Sequence, residues 1–461
     1  MISFLLWAFA LQCLAILYWG LRERERMIQF PFLAAAVFLG WMLPQLVGLS
    51  NHPFLPHGGL EKTIFMAILC NGAAWWGYTS NKRPAKLFWW RFDRRRLVWG
   101  SAALSLMGAF FFYQVSQLAA EATAKYGGAW TGIITIYIFF ARLLSCGMAL
   151  ALILYLKKPG WSVLSILLFD LMFYLDRIII KGRRAAMVEL GLMLLMAVWF
   201  QRRWMPPRWA MVSAMIVGAL VINSIGDYRS TMMGDDRTTW SGAGIREILE
   251  IDYVGNLQRL ASGKDGNHDL ENAVMNIEAT SRTLGFDFGL SHWNGFVNSY
   301  VPGQWVGHDV KRSLMIHFDN AASSLFGHRP YTGSTPTGLS DAFLSFWYLG
   351  AVKFFLIGLI LSRWYKAAVR GNIVAQMVLM LVVTLSLHAI THSTHHFFTV
   401  FVPLAVFLLP MLTMARVTTP KQRAIHGRVL SNSKPKTLDQ PVLHASLQGS
   451  HLHKKVEVGC R

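Results

Sequence analysis

The sequence predicts an all-α integral membrane protein, a bundle of about eleven transmembrane helices with one large exterior helical loop. Hydrophobic residues make up 54% of the 461 residues and charged residues only 15%, and the mean hydropathy is +0.38. Apolar runs of about 18 residues or more are typical of helices that cross a bilayer. These runs lack the period-two alternation of a membrane β-barrel, so helices are predicted.

The apolar runs divide the chain into four parts. Eight predicted spans lie in residues 1–226, an exterior loop occupies 227–336, three spans lie in 337–416, and a basic disordered cytoplasmic tail occupies 417–461. No basic region precedes the first run and an Arg-rich segment follows it at once, which favours a retained helix over a cleaved signal peptide. The predicted spans are 1–20, 29–50, 63–80, 98–120, 131–156, 161–180, 185–200, 209–226, 337–362, 372–390 and 397–415.

The distribution of Lys and Arg predicts the orientation, because cytoplasmic segments of membrane proteins are enriched in cations. With the N-terminus outside, 27 of the 44 Lys and Arg residues fall in the inner segments and the tail. The 227–336 loop holds nine Lys and Arg against thirteen Asp and Glu. The formal charge of +20 is therefore explained by a cytoplasmic rim beside anionic membrane lipids, and no nucleic-acid partner is predicted.

A basic turn lies on the predicted outer side, where cations are not expected. Lys181, Gly182, Arg183 and Arg184 separate two spans, and Arg177 precedes them at a similar depth. Cations at this position indicate an anionic ligand, and phosphate fits best because a guanidinium binds it with two parallel hydrogen bonds. Binding of ordinary lipid headgroups is the alternative interpretation.

Other polar residues lie within the predicted spans. Arg142 and Asp170 sit at similar depth, so they form a buried ion pair or, if they face a cavity, Arg142 is a second phosphate ligand. A histidine cluster near the outer end of the tenth span has weak metal-ligand spacing and favours a base or hydrogen-bond donor. No metal, cofactor or disulfide scaffold is predicted. The cluster comprises His388, His392, His395 and His396.

The exterior loop contains two amphipathic segments, at 239–263 and 269–284, which are predicted to lie on the membrane or on the bundle. An aromatic stretch follows, with Trp293, Tyr300 and Trp305. Its aromatic rings are interpreted as interface anchors or as a groove that stacks on sugar rings. Two cations, Lys311 and Arg312, follow this stretch. They are predicted either to contact lipid phosphate or to extend to the membrane interface.

Three stretches of the sequence share a pattern with a known family. They are Asp176-Arg177 with the basic turn, Val301-Pro302 through Trp305 with Lys311-Arg312, and the Gly333-Ser334-Thr335-Pro336-Thr337-Gly338 turn that leads to Asp341 and Gly350. With these stretches the chain resembles the bacterial oligosaccharide repeat-unit polymerases, the O-antigen polymerase (Wzy-type) family. It departs from the family at Gly303, where Arg is frequent, at Asp341, where Glu is more usual, and at Trp347-Tyr348-Leu349, which separates Phe346 from Gly350.

The resemblance implies a glycosyltransferase of the bacterial inner membrane with its large loop in the periplasm. Its substrate would be an oligosaccharide linked to undecaprenyl pyrophosphate, its partners would include a chain-length regulator protein, and no metal would be needed. Cations would hold the leaving pyrophosphate. The cations implied are Arg142, Arg177, Lys181, Arg183, Arg184, Lys311 and Arg312.

A general base is needed to activate the acceptor hydroxyl, and the candidates are a carboxylate or a neutral histidine. Asp341, His308 and His328 are proposed, with His317 as a competitor. Asp341 near the start of a helix is equally interpretable as a cap or as the partner of an exterior Arg.

Two other functions stay open at this stage. An O-antigen ligase uses the same donor but transfers the glycan to lipid A core. A polysaccharide transporter or flippase should place polar groups through the full depth of the bundle. The candidate residues concentrate at the outer face, which favours an enzyme over a transporter but does not separate polymerase from ligase.

The charge distribution generates a topology prediction. A reporter fused after Arg96 or Arg203 should report a cytoplasmic location, and one fused within 227–336 should report an exterior location. Paired fusions of alkaline phosphatase and green fluorescent protein measure both. A cytoplasmic location for the basic turn at 181–184 would remove the argument for an outer phosphate site.

Overall fold

The computed structural model describes residues 1–417 except 53, 82, 87–88, 127–132, 233–244, 264–268, 319–320 and 331–333. The structure is 82% helical, and the described part has no strand, only one isolated bridge between Phe92 and Arg416. This confirms the predicted all-α class. The predicted disordered tail, beyond residue 417, and Gly333 of the Gly-Ser-Thr-Pro-Thr-Gly turn lie outside the described residues. Met1–Arg416 forms one compact unit.

In the described part of the chain, eleven α-helices precede or begin the 227–336 loop. They are α1 (Ile2–Leu21), α2 (Phe30–Val37), α3 (Leu43–Leu49), α4 (Gly59–Ser80), α5 (Arg94–Tyr126), α6 (Ile133–Ala141), α7 (Leu143–Lys157), α8 (Trp161–Leu175), α9 (Arg184–Arg202), α10 (Arg208–Asn223) and α11 (Ile225–Met232).

The loop and the last part of the chain contribute twelve more α-helices among the described residues. They are α12 (Ile245–Leu249), α13 (Tyr253–Ser262), α14 (Asp269–Thr283), α15 (Leu290–Tyr300), α16 (Gly303–Val306), α17 (His308–Leu314), α18 (Ala321–Phe326), α19 (Thr337–Phe346), α20 (Val352–Val369), α21 (Ile373–Thr391), α22 (His395–Thr399) and α23 (Phe401–Ala415). Short 3₁₀ turns lie at Arg24–Ile28 and Trp347–Ala351, and π-turns at Phe38–Met42 and Asp176–Ile180.

Eight helical stretches of the described chain are long and apolar enough to cross a membrane. The short run predicted at 185–200 is one of them, because its helix extends over 19 residues. Three other predicted runs, in α4, α8 and α10, are not among the eight. Helix α10 has 16 residues, and α8 has 15 before Asp176 and Arg177 follow. The eight are Ile2–Leu21, Phe30–Leu49, Arg94–Leu118, Ile133–Lys157, Arg184–Arg202, Thr337–Val369, Ile373–Thr391 and His395–Ala415.

Segments that the charge distribution assigned to the cytoplasm meet at one end of the bundle, called here the cation-rich end. Guanidinium groups there donate to backbone carbonyls of distant segments, which joins the helix ends without using carboxylates. The contacts are Arg208 Nη2 to Arg22 O (2.9 Å), Arg94 Nη2 to Lys158 O (2.7 Å) and Arg96 Nη1 to Met414 O (3.1 Å).

The 227–336 loop packs on the opposite end of the bundle, called here the loop end. Lys62 at the start of α4 forms an ion pair with Glu278 of α14 at 2.7 Å. Thr335 Oγ1 donates to the carbonyl of Thr391 at the end of α21 (2.6 Å). The loop is therefore a cap of short helices over one end of the bundle.

The amphipathic segment at 269–284 lies on the bundle, which decides between the two predicted locations for that segment. Helix α14 buries Leu270, Val274 and Ile277. Leu284, the last residue of the predicted stripe, lies beyond the helix and is 71% exposed. The apolar stripe of α14 thus contributes to the protein core rather than to a membrane surface.

Helices α4 and α20 approach so closely that glycine is required at their contact, called here the glycine seam. A Cβ added at Gly77 would clash with the carbonyl of Phe355, and a Cβ at Gly358 would clash with the carbonyl of Ala74. Small residues are what allow two helix backbones to pack at such short distance within a membrane. The seam fixes α20 against α4 along most of its length.

The glycine seam generates a stability prediction. Gly358→Ala should lower the free energy of unfolding by about 1–3 kcal/mol, because the added methyl group meets backbone rather than a side chain that can move. The measurement is thermal unfolding of the purified protein in detergent. Gly191→Ala in α9 is the control, since nothing lies within 4 Å of its Cβ. Equal melting temperatures for the two variants would contradict close packing at the seam.

Candidate functional site

A buried ion pair between Asp341 and Lys353 lies at the loop end. The chain breaks between α19 and α20 at Trp347, whose φ is +55°, and this break folds the start of α20 back toward Asp341. The Lys353 ammonium lies 3.4 Å from Asp341 Oδ1 and donates to Ser345 Oγ at 2.7 Å. The two residues are 8% and 7% exposed. Charges this deep remain ionised only when paired and hydrogen-bonded.

The second oxygen of Asp341 ties the pair to the segment between α21 and α22. Asp341 Oδ2 accepts from the Thr394 backbone N–H at 2.8 Å and from its hydroxyl at 2.5 Å. The Thr394 hydroxyl also lies 2.9 Å from His292 Nε2. Since the hydroxyl hydrogen goes to Asp341, His292 Nε2 must be the donor and Nδ1 carries the lone pair.

His292 is positioned by α15, whose start Asp287 fixes. The Asp287 carboxylate accepts from the backbone N–H of Gly289 (2.8 Å) and Ser291 (3.0 Å). Burial is the largest effect on the pKa of His292 and lowers it; Asp341 and Asp287 oppose the shift and Lys353 adds to it. His292 is therefore neutral near pH 7.

Five histidines form a continuous row that begins at this ion pair. Burial, with His388 and Arg184 nearby, lowers the pKa of His392 to about 4, so His392 is neutral near pH 7. In order from the ion pair, the rings are His292, His395, His396, His392 and His388, with centroid separations of 6.4, 4.0, 6.1 and 5.2 Å.

His395, like His392, is held at one ring nitrogen by a nearby hydroxyl; for His392 Nδ1 the partner is Thr391 Oγ1 at 2.8 Å. In His395, Nδ1 lies 2.9 Å from Ser393 Oγ. The other side of the ring faces Gly295, whose added Cβ would approach it at 3.3 Å. No hydrogen bond to Nε2 of His395 is formed by the described residues. Arg142 is near enough to interact electrostatically with His395, His396 and His388.

The basic turn adjoins the far end of this row. A π-turn at Asp176–Ile180 ends α8, Gly182 takes a positive φ of 53°, and α9 begins at Arg184. Gly182 O accepts two hydrogen bonds of 3.3 Å from the Arg229 guanidinium. The turn is therefore held by Arg229 of the 227–336 loop as well as by its own backbone.

Three guanidinium groups converge at the turn. Partial burial is the largest cause of a lowered pKa at Arg183, followed by Arg177 and Arg229, while Asp176 acts in the opposite direction. Arg177 lies 4.0 Å from Glu189, and its buried Nε has no hydrogen-bond partner in the described structure. Convergent cations with unused donors favour an anionic ligand.

Lys181 has local partners that Arg183 and Arg184 do not share. Its ammonium lies 2.8 Å from Asp176 and 4.9 Å from the centroid of the Phe112 ring. Lys181 is therefore neutralised by the turn itself. Arg184 begins α9 directly after the turn and interacts electrostatically with His392.

The ion pair predicted between Arg142 and Asp170 is not formed. Asp170 is fully buried and accepts from Ser105 Oγ at 2.8 Å; its other oxygen has no partner among the described residues. Arg142 instead precedes α7 and neighbours the histidine row. The second interpretation, in which Arg142 joins the phosphate ligands, stays a prediction.

The structure places His308 and His328 away from the Asp341–Lys353 pair. His308 begins α17 and is exposed. His328 Nε2 lies 2.8 Å from Asn272 Oδ1, and its Nδ1 lies 4.0 Å from Glu271. Neither histidine contacts the carboxylate with which it was grouped as a candidate base.

The two predicted cations Lys311 and Arg312 lie at the surface of the 227–336 loop. Lys311 donates to Asn298 O at 2.9 Å, and slight burial lowers the pKa of Lys311. Arg312 lies 3.8 Å from Asp309, and the two side chains are 80% and 98% exposed. The described contacts do not join these cations to the basic turn.

The predicted aromatic residues have two different settings. Tyr300 packs on Phe139 at 5.8 Å, and its hydroxyl donates to Thr399 O at 3.0 Å, so Tyr300 joins the loop to the bundle. Trp293 donates to Leu314 O at 2.8 Å. Trp305 is 73% exposed, which leaves its ring face free to stack.

Lys353 and His292 are site residues that sequence reasoning did not single out. The signal for Lys353 is a lone lysine within the apolar run 337–362, since ionisable residues inside spans are costly and are typical of functional sites. The signal for His292 is weaker, because only the fold brings it to Asp341.

Two cavities are described in the structure, and both lie at the cation-rich end, away from this site. Within the described residues, no group of three His, Cys, Asp or Glu could hold a metal ion.

The fold and the site together define an all-helical membrane protein with a buried ion pair, a histidine row and a cluster of guanidinium groups at its loop end. No family model, curated protein or solved structure matches this chain.

The buried ion pair generates a double-mutant prediction. Lys353→Met should cost roughly 3–5 kcal/mol of unfolding free energy, because the Asp341 charge would remain buried with only Thr394 to stabilise it. Asp341→Asn should also destabilise, and the double variant should cost less than the sum of the two. The measurement is thermal unfolding in detergent.

The control for this cycle is the exposed pair of Arg246 and Glu250, whose side chains are 88% and 63% exposed. Arg246→Gln should change stability by less than about 0.5 kcal/mol. Additive costs for Lys353→Met and Asp341→Asn would show that the two charges do not stabilise each other.

Proposed function

We propose that the protein is a membrane glycosyltransferase that polymerises lipid-linked oligosaccharide repeat units and releases undecaprenyl pyrophosphate. In this proposal eleven helical segments cross the inner membrane, the N-terminus and the 227–336 loop are periplasmic, and the loop end carries the chemistry. The path of polar groups from Arg177 and Arg183 through the histidine row to Asp341 is the observation that carries the proposal.

The donor pyrophosphate is proposed to bind at the basic turn. Arg177, Arg183 and Arg229 repel one another there, and Arg177 Nε has no partner in the described structure. An anion relieves this repulsion and accepts the unused hydrogen bonds. The same groups stabilise the negative charge that develops on the pyrophosphate when its bond to the sugar breaks. Arg184 and Arg142 adjoin from the side of the histidine row.

His395 is the proposed base for the acceptor hydroxyl. A neutral imidazole with one nitrogen held by Ser393 and the other unbonded has the arrangement that a general base requires. His395 also interacts electrostatically with Asp341, Lys353 and Arg142. It takes the proton of the sugar hydroxyl as the oxygen attacks the anomeric carbon and the pyrophosphate leaves.

Asp341 is proposed as a positioning residue rather than the base. Both of its oxygens are occupied, by Lys353 and by Thr394. Through Thr394 the carboxylate holds the segment that leads into α22, which carries His395. Loss of the Asp341 charge would therefore misplace the base without removing it.

The direction of substrate entry follows from the lipids that carry the glycans. Both substrates stay in the bilayer by their polyprenyl chains, so their phosphates would reach the protein at the membrane interface. The proposal puts the basic turn between α8 and α9 at that level. The glycan itself extends away from the membrane. The exposed ring of Trp305 is a surface on which a sugar can stack.

The proposal is tested with purified protein and lipid-linked repeat units, with chain length read on gels. Arg177→Ala, Arg183→Ala and Arg184→Ala should each lower polymer formation roughly 100-fold, the usual cost of losing a group that stabilises developing charge. Lys at these positions should rescue poorly, because an ammonium lacks the planar fork. Polymer should form in the presence of EDTA.

Two further variants separate the proposed roles in the same assay. His395→Gln should abolish turnover but leave binding of the lipid-linked donor unchanged, whereas the Arg variants should weaken that binding. Arg246→Ala, at an exposed ion pair of the loop, is the control and should keep wild-type activity. Normal chain lengths in all three Arg→Ala variants, or an absolute need for a divalent ion, would refute the mechanism.

A further inference from the structure

A cavity of about 470 Å³ opens at the cation-rich end, far from the proposed active site. It lies where the ends of α1, α4 and α20 meet the turn at Arg24–Ile28. Lys366 lines the cavity and shows where along the helices the cavity lies. Its Nζ donates to Asn81 O just beyond the end of α4. The cavity is therefore at the height where helices leave the apolar core.

Two buried hydroxyl groups belong to residues that line this cavity. Tyr78 is 6% exposed and Ser362 is fully buried. Neither hydroxyl has a hydrogen-bond partner among the described residues. A buried hydroxyl without a partner loses the free energy of its hydrogen bonds to water, so two of them beside one cavity indicate that a polar ligand or water occupies it.

The charged residues around the cavity favour a ligand with negative charge. Arg26, Lys366 and Arg370 line it, against one carboxylate, Glu25. The Arg26 guanidinium stacks on Trp19 at 4.8 Å and is partly neutralised by Glu23. Arg370 is exposed and forms no ion pair within the described structure. The net excess of cations, with two hydroxyl donors, matches an anion with several acceptor oxygens.

We propose that this cavity binds the phosphate of an anionic phospholipid headgroup. A phosphodiester offers two unesterified oxygens, enough to accept from the Tyr78 and Ser362 hydroxyls while its charge is balanced by Arg370 and Lys366. The acyl chains would lie beside α1, where Trp19 adds an interfacial aromatic ring. The site is independent of the proposed glycosyl transfer, since it lies at the other end of the bundle.

The experiment uses the purified full-length protein in a neutral detergent. Its thermal unfolding is followed during titration with dioctanoyl-phosphatidylglycerol, dioctanoyl-phosphatidylcholine or inorganic phosphate. The phosphatidylglycerol should raise the melting temperature in a saturable way, and the phosphatidylcholine should not. Native mass spectrometry should show one retained anionic phospholipid.

Variants localise the binding. Tyr78→Phe with Ser362→Ala keeps the packing but removes both donors, and should weaken phosphatidylglycerol binding about tenfold. Arg370→Gln, at an exposed position where folding is not at risk, should also weaken it. The control is Lys157→Gln, which removes an exposed cation at the same end that does not line the cavity, and it should bind normally.

The outcomes separate the sources of the phosphate. Saturation by phosphatidylglycerol alone assigns a lipid headgroup. Saturation by inorganic phosphate at the same site, with the same loss in Arg370→Gln, keeps the phosphate site but assigns it to a soluble ligand. Equal effects of the two phospholipids, or equal losses in Arg370→Gln and Lys157→Gln, would overturn the proposal.

Discussion

The Asp341–Lys353 ion pair is the interaction on which the loop end depends. Desolvating two charges costs several kcal/mol for each ion, and the mutual attraction offsets this only with good geometry and extra hydrogen bonds. Ser345 accepts from Lys353, Thr394 donates to Asp341, and His292 Nδ1 lies 3.5 Å from the Lys353 ammonium. Because the pair and these partners together come from four segments, they join α15, α19, α20 and the α21–α22 connection into one unit.

Much of the architecture was predictable from local properties of the sequence. Apolar runs predicted a helical membrane protein, and eight of the eleven predicted spans are long and apolar enough to cross a membrane. The Lys and Arg distribution assigned the segments at Arg22 and Arg208 to one side, and these segments are in contact in the structure. The basic turn could also be recognised in the sequence, because Arg183 lies between two apolar runs on the predicted outer side, where cations are not expected. Each of these inferences uses only residues that are close in sequence, because hydropathy and charge can be summed over a segment without knowing its tertiary contacts.

The rest depended on contacts between distant residues, which periodicity does not encode. His292 reaches Asp341 only because α15 folds over α19, and Lys353 does so only because the helix breaks at Trp347. The expected pairing of Arg142 with Asp170 is not formed, because two residues at the same depth in a bilayer need not lie on helix faces that point toward each other. Ser105 on a neighbouring helix satisfies Asp170 instead. Partner choice inside the bundle is thus set by helix rotation.

The glycine seam has a consequence for how this protein would respond to bilayers of different thickness. Lysine near a helix end normally adjusts its own height by extending toward water. Lys353 lies in the first turn of α20, and Gly358 locks that helix against α4. A bilayer whose thickness tilts α20, one way in which a membrane helix accommodates mismatch, would therefore move α4 with it. The Lys353 ammonium would keep its partners. Its depth relative to the membrane surface would follow the position of the two packed helices rather than extension of its own side chain toward water.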